Sequence, residues 1–414
     1  MSEWCEKSLG DLGRIVTGKT PSTSVSEFFG GDVPFVTPSD MDGRKVISRT
    51  ERYLTQAGVA AVKSSFIPKG SVMVSCIGSD MGKATVAAHD SVTNQQINSI
   101  IVSEEFCADF VYYNLSARKA ELQSMACSGS AQPILNKGHF SELPILLPSL
   151  AEQRAIASVL GALDDKIELN RRMNETLEAL AQSLFKSWFV DATQEGLPKG
   201  WCEGTLGDLC EIAIGGDWGE DKPFDGSIET VCLRGVDLEH LRYGGHAEAP
   251  RRWVKTISLS QRRLDERDVL VAASGAGPTG RPLWAFFQLE QVFGLPVIYS
   301  NFCKRLRCQS PAAAVYVDRL LHIMRESGEI WEYVNGTSIP NLDAKSLLRS
   351  KEVLIPPTEL LERFYEFYHP IAKRLYSGES RTLAALRDAL LPKLLSGEIR
   401  VRNADKSARS MTDG

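Results

Sequence analysis

The run VLVAAS leads into Gly275, Ala276, Gly277, Pro278, Thr279 and Gly280. Glycines in this pattern after a strand are the form of a loop that cradles a dinucleotide pyrophosphate. The loop therefore raises an enzymatic reading, a nucleotide- or S-adenosylmethionine-binding enzyme built on Gly275–Gly280. Its surroundings argue against it. Pro278 and Pro282 crowd the turn where a helix must begin, and no acid stands about 20 positions on to hold a ribose hydroxyl. A second candidate, GSDMGKAT (78–85), puts only three residues between its glycines. Ala84 stands where a phosphate loop needs a hydroxyl for magnesium. The string Ile355-Pro356-Pro357-Thr358 lacks both ends of the motif an adenine methyltransferase uses at its flipped base. His89, His139, His240, His246, His322 and His369 show neither triad nor ligand spacing. The nine cysteines include no Cys-x-x-Cys pair, so they are expected to be reduced packing thiols with no structural metal. No catalytic constellation emerges, no metal site is expected, and no cofactor is expected on this chain.

What remains is binding chemistry. The net charge is −5, yet cations gather locally. Arg44, Lys45, Arg49 and Arg52 follow Asp40, and Arg242, Arg251, Arg252, Lys255 and Arg262 follow Asp237, with Arg234 just before it. Such patches meet phosphate despite a negative total, because salt screens distant charge. They read equally as solvated faces. Lys83 and Arg281 each sit in a glycine-rich loop where backbone can approach a ligand. Asn94, Gln95 and Gln96 carry the amides that suit adenine edges, and the same residues suit turns. The candidate DNA-binding set is therefore Arg44, Lys45, Arg49, Arg52, Lys83, Asn94, Gln95, Gln96, Arg234, Arg242, Arg251, Arg252, Lys255, Arg262 and Arg281.

The elements that must position these groups come in duplicate. WCEKSLGDL at Trp4 returns as WCEGTLGDL at Trp201, identical at seven of nine positions. VPFVTPSDM aligns with ETVCLRGVDL, placing Asp40 on Asp237. TNQQINSI (93–100) aligns with SNFCKRL (300–306), which sets Asn94 on Asn301, and SGSAQPIL (128–135) aligns with NGTSIPNL (335–342). A period of roughly 200 residues marks a duplicated domain, since solenoid repeats span only about 20–50. Two copies imply a pseudo-twofold molecule with two similar faces bearing different side chains. Short β-rich runs broken by helical patches give a mixed α/β globule in each copy.

After each globule comes a helical stretch. Pro148 and Ser149 open the first, with Glu152 placed for a capping box. Ile156, Leu160, Leu163, Ile167, Asn170, Asn174, Leu177, Ala181, Leu184 and Trp188 alternate spacings of four and three, a coiled-coil seam over 150–189. At about 1.5 Å per residue this is a rod of roughly 57 Å. Its expected partner is 357–396, where Pro370 and Pro392 should kink or end the helix and Ser377-Gly378 should break it. The expected segments are 1–148, 149–195, 196–355 and 356–400, with a disordered tail over 401–414. Hydrophobic content of 43%, charged content of 24%, no long apolar run and no basic-then-apolar start point to a cytoplasmic chain without membrane spans.

LPSLAEQRAIASVLGALDDKIELNRRMNETLEALAQSLFKSWFVD followed by GLPKGW resembles the central conserved region of type I restriction–modification specificity subunits, as do SGSAQPIL and TNQQINSI. The likeness runs from Trp4 to about Ile399. It implies two α/β target recognition domains joined by two long antiparallel, coiled-coil-like helices, each domain reading half of a split double-stranded DNA sequence. It implies that two DNA methyltransferase (modification) subunits grip the helices through Glu152, Gln153, Ile156, Leu163, Ile167, Trp188 and Phe189. Restriction and motor subunits join them, and S-adenosylmethionine, ATP and magnesium belong to the partners. The second helical region, PTELLERFYEFYHPIAKRLYSGESRTL, lacks the Glu-Gln pair of the first.

Overall fold

The computed structural model describes residues 4–78, 80–126, 134–242, 249–274, 279–285, 288–336 and 339–401. The tail expected to be disordered lies, from residue 402 on, outside the described residues, as do Gly275, Gly277 and Pro278 of the glycine loop and most of SGSAQPIL. The chain divides into two units, residues 1–165 with 383–414 and residues 166–382. The helix Leu150–Phe185 contributes its first part to one unit and its remainder to the other.

In the first unit Cys5–Ser8 pairs antiparallel with Pro144–Leu147. A five-stranded sheet runs in the order Gly13–Thr17, Ile97–Val102, Val72–Ser75, Ala84–Ala87, Val46–Ile47. A four-stranded sheet runs Arg52–Leu54, Phe29–Val36, Ser91–Thr93, Phe66–Ile67. The helix Ala108–Ala117 buries Phe110, Val111, Tyr113 and Leu115 against Val72, Val74 and Ile100. The central strands Val72–Ser75 and Ile97–Val102 are short and mostly buried, so apolar residues stand there where alternation would mark a half-exposed sheet.

The second unit repeats the plan. Cys202–Thr205 pairs with Glu352–Ile355. One sheet runs Cys210–Ile212, Cys303–Cys308, Asp268–Ala272, Pro282–Trp284, and another runs Arg251–Lys255, Ser227–Leu233, Val297–Tyr299. The likeness extends to single hydrogen bonds. The Thr37 amide donates to Asp40 Oδ2 at 2.8 Å and the Arg234 amide to Asp237 Oδ2 at 2.7 Å, so Asp40 and Asp237 perform one local task. Gly82 and Gly280 both take positive φ (84° and 81°) and donate to Ser75 and Ala272. A Cβ at Gly82 would meet Lys119 backbone at about 3.0 Å, which reserves the turn for glycine.

One alignment needs correcting. The Asn94 amide donates to Val36 O and the Ser300 amide to Leu233 O, while Gln96 O and Phe302 O accept from Cys76 and Ala273. The structural equivalent of Asn94 is therefore Ser300, one residue before Asn301, and that of Gln96 is Phe302. The backbone ladder sets the register, and a single shared asparagine does not.

Helix Leu150–Phe185 begins as expected after Ser149, whose Oγ accepts the Glu152 amide at 3.3 Å. The Glu152 carboxylate meets Arg400 at 3.3 Å instead of closing a capping box. Within the first unit the contacts Glu152–Arg400 and Asp164–Arg387 run in opposite directions along the chain, so the helical segments are antiparallel. Within the second unit Asn170–Arg374 and Phe185–Phe364 do the same. Ile156, Leu160, Asn170 and Ala181 of the expected seam are buried. Toward the end the buried face steps over by one residue, to Phe185 and Phe189 in place of Leu184 and Trp188. A 3.6-residue helix drifts from a strict 3.5 repeat, and the shift is complete at Phe185, before the π turn Lys186–Val190 begins.

The expected break is present at Ser377–Gly378, with Gly378 at φ 69° between helices Thr358–Leu375 and Glu379–Leu395. Pro370 and Pro392 end neither helix; both lie inside. Proline removes one backbone bond there, and around Pro370 the burial of Tyr368, Ile371, Ala372 and Leu375 offsets that loss.

Candidate nucleic-acid interface

The sharpest convergence of candidate residues lies in the first unit. Arg52, Asn94 and Gln96 line one open pocket of about 340 Å³ together with Thr37, Ser39 and Gly78. Arg52 is placed by the strand Arg52–Leu54 and lies 5.0 Å over the Phe35 ring. Asn94 and Gln96 belong to the tight turn between Ser91–Thr93 and Ile97–Val102. Asn94 Oδ1 accepts the Gln96 amide at 3.1 Å, and its Nδ2 donates to Gln96 Oε1 at 2.9 Å. Both amides thus hold the turn and face the pocket. The exposed Gln95 accepts from the Thr20 hydroxyl at 2.7 Å.

The remaining cations of this unit are placed elsewhere. Arg44 pairs with Asp42 at 2.5 Å, and Arg49 is exposed. Lys45 reaches Asp109 at 3.0 Å and lies over Tyr113. Lys83 pairs with Asp80 at 2.8 Å and lines a second pocket of about 440 Å³ with Tyr113, Lys119, Asp164 and Arg387. There Tyr113 Oη and Arg387 Nη1 both donate to Asp164 at 2.7 Å.

In the second unit Arg251, Arg252 and Lys255 share the strand Arg251–Lys255. Alternation turns Arg251 and Lys255 to one face, both exposed. Arg252 turns to the other, stacked 4.1 Å over Trp218 and paired with Asp221. Arg234 holds Asp237 at 3.0 Å. Arg262 donates to Gly215 O at 2.8 Å, and Arg281 pairs with Glu239. Arg242 is 3% exposed and bonded to Asp318 at 3.0 Å, inside a network with Glu178, Arg319 and His322. Burial pushes the Glu178 carboxyl up, but Arg319 and Arg242 outweigh it and hold its pKa at about 2. Burial brings His322 down to about 4, so its ring is neutral. Sequence patterning missed this network: its members are spaced far apart in the chain, and only folding joins them.

Of the helical candidates, Glu152, Gln153, Ile156 and Phe189 are buried within their own units. Gln153 caps local backbone, accepting from Cys107 N at 3.0 Å and donating to Pro148 O at 2.9 Å. Phe189 packs on Tyr316 and Phe364. Leu163, Ile167 and Trp188 are half-buried, with Trp188 on Phe364 and Arg363 over its ring.

The glycine loop does not open a helix. From Gly280 the chain enters the strand Pro282–Trp284, so the helix N-terminus a pyrophosphate needs is missing at that point. Among the described residues no group of His, Cys, Asp and Glu is placed to hold a metal ion, and no helix is long and apolar enough to cross a membrane. The described cysteines are free thiols.

Residues 1–179 match the type I restriction modification DNA specificity domain. The chain is 28% identical over 421 residues to the type I restriction enzyme MjaIX specificity subunit of Methanocaldococcus jannaschii, covering 96% of this chain and 94% of the relative. It is 36% identical over 188 residues to the HindI specificity subunit of Haemophilus influenzae, covering 44% of this chain and 40% of that relative. In fold it is similar to the crystal structure of a type I S subunit from M. genitalium, at a TM-score of 0.57 and 15% identity over 95% of this chain and 96% of that one. The matched domain over residues 1–179, a relative similar over nearly its whole length and the shared fold point the same way: the chain is similar to the specificity subunits of type I restriction–modification systems.

Proposed function

We propose that this chain supplies the DNA sequence specificity of a type I restriction–modification complex, each unit reading one half of a split target. One observation carries the reading: a single hydrogen-bonded frame is built twice in the chain and bears different side chains each time. Two frames of one design with two sets of contacts suit two unlike half-sites. In this reading 1–148 and 196–355 are the recognition domains, and 149–195 and 356–400 are the helical regions. The helices set the spacer and dock two methyltransferase subunits, which restriction and motor subunits join. S-adenosylmethionine, ATP and magnesium are bound by those partners, and the complex works in the cytoplasm.

The test is selection from random duplex DNA by the assembled complex. A split motif is expected, and the same enrichment without this chain refutes the reading. Deleting residues 167–173, with the facing helix trimmed to match, shortens the rod by roughly 10 Å. The spacer should then lose about three base pairs while both half-sites persist.

A further inference from the structure

The two copies of the frame differ in chemistry where the first forms its polar pocket. Strand pairing sets Phe35 opposite Arg52, and in the second unit Cys232, the equivalent of Phe35, bonds through its amide to Pro250 O. Pro250 therefore replaces Arg52. By the same ladder Val236 replaces Ser39, Ser300 replaces Asn94 and Phe302 replaces Gln96. Val236 is 46% exposed and Phe302 is 58% exposed. The peptide of Phe302 is engaged, its carbonyl accepting from Ala273 and Ser274, while its ring is left at the surface. The fold does not need an aromatic ring there, since the first unit builds the same turn around glutamine. Next in the chain to Pro250, Arg251 has a side chain that is 69% exposed, its guanidinium 3.4 Å from the Glu229 carboxylate.

We infer that this position is the base-reading surface of each unit, polar in the first and apolar in the second, and that Val236 and Phe302 read thymine methyl groups in the major groove. The inference rests on the proposed function above and names the chemistry of its second half-site. Thymine is the base with an apolar group on its major-groove edge, and apolar side chains are its ordinary reader. Arg251, the residue after Pro250 in the chain, is a cation for phosphate, a contact that positions a protein on the duplex without specifying sequence. The first unit instead offers Ser39, Arg52 and Gln96, hydrogen-bonding groups suited to polar base edges.

The experiment uses the assembled complex and duplexes carrying the selected split motif. A photo-crosslinking amino acid at Lys255, exposed on the same strand as Arg251, identifies the half-site held by the second unit. Each thymidine is then replaced by deoxyuridine, which lacks only the methyl group. Loss of one buried methyl should weaken binding roughly fourfold in that half-site, and F302S and V236S should each reduce the discrimination between the two DNAs. Equal binding of thymidine and deoxyuridine DNA overturns the inference. So does a second half-site without an A·T pair, or full discrimination in both variants. Failure of the underlying function looks different: no split motif is selected at all.

Discussion

Glu178→Gln tests whether the second unit is held by its buried ionic network. Glu178 sits on the long helix, 7% exposed, with Arg319 Nη1 at 2.6 Å and Nη2 at 3.1 Å and with Arg242 at 3.7 Å. Arg319 is 1% exposed and also meets Tyr368, and Asp318 is wholly buried against Arg242. Neutralising Glu178 leaves two buried guanidinium groups facing one carboxylate. Breaking a buried pair from one side costs about 3–5 kcal/mol. The same guanidinium groups hold the carboxyl below its ordinary 4.5, at about 2, the direction that a stabilising pair requires. Because the folded value is the lower one, the contribution is complete above pH 4.5 and is lost as pH falls through about 2. Urea unfolding of wild type and variant, followed by tryptophan fluorescence, reads the difference. The stability gap should be about 3 kcal/mol or more at pH 7 and should shrink by pH 3. A gap below about 1 kcal/mol at pH 7, or one unchanged at pH 3, refutes the reasoning.

Three further outcomes are expected. His322, lowered from 6.5 to about 4 by burial and by Arg242, gives stability that is present above pH 6.5 and lost as pH falls through 4; H322N should flatten the urea midpoint across that window. Asn170 is 2% exposed and its Oδ1 accepts from Arg374 at 2.8 Å, so N170A should cost about 1–3 kcal/mol by thermal or urea unfolding, and an unchanged midpoint contradicts this. R251A should lower the salt slope of DNA binding by roughly one and weaken binding alike on all sequences, whereas a neutral effect marks Arg251 as a solvated face.

The duplication was legible because WCEKSLGDL and WCEGTLGDL preserve the residues that build a strand and its cap. Ser8 and Thr205 each donate their backbone N–H and their hydroxyl to the carboxylates of Asp11 and Asp208. The long helix and its break at Gly378 were legible from periodicity and from a residue able to take positive φ. The register of the second frame was not legible. The shared asparagine drew the alignment one residue forward, and only the bonds of Ser300 and Phe302 corrected it. The roles of Arg242 and Arg252 were hidden for a related reason. A basic run looks the same in sequence whether its members face solvent, stack on Trp218 or close a buried pair with Asp318. The pocket joining Ser39, Arg52 and Gln96 draws on three separate loops and strands, which no local pattern reports.

The role proposed for this chain is to choose the DNA sequence on which its partners act. Base-resolved mapping of methylated bases in cells expressing the modification subunits, with and without this chain, tests it most directly. A split motif of two unlike halves at a fixed spacing should appear only when the chain is present. The same motif without the chain, or a continuous unsplit motif with it, would contradict the account.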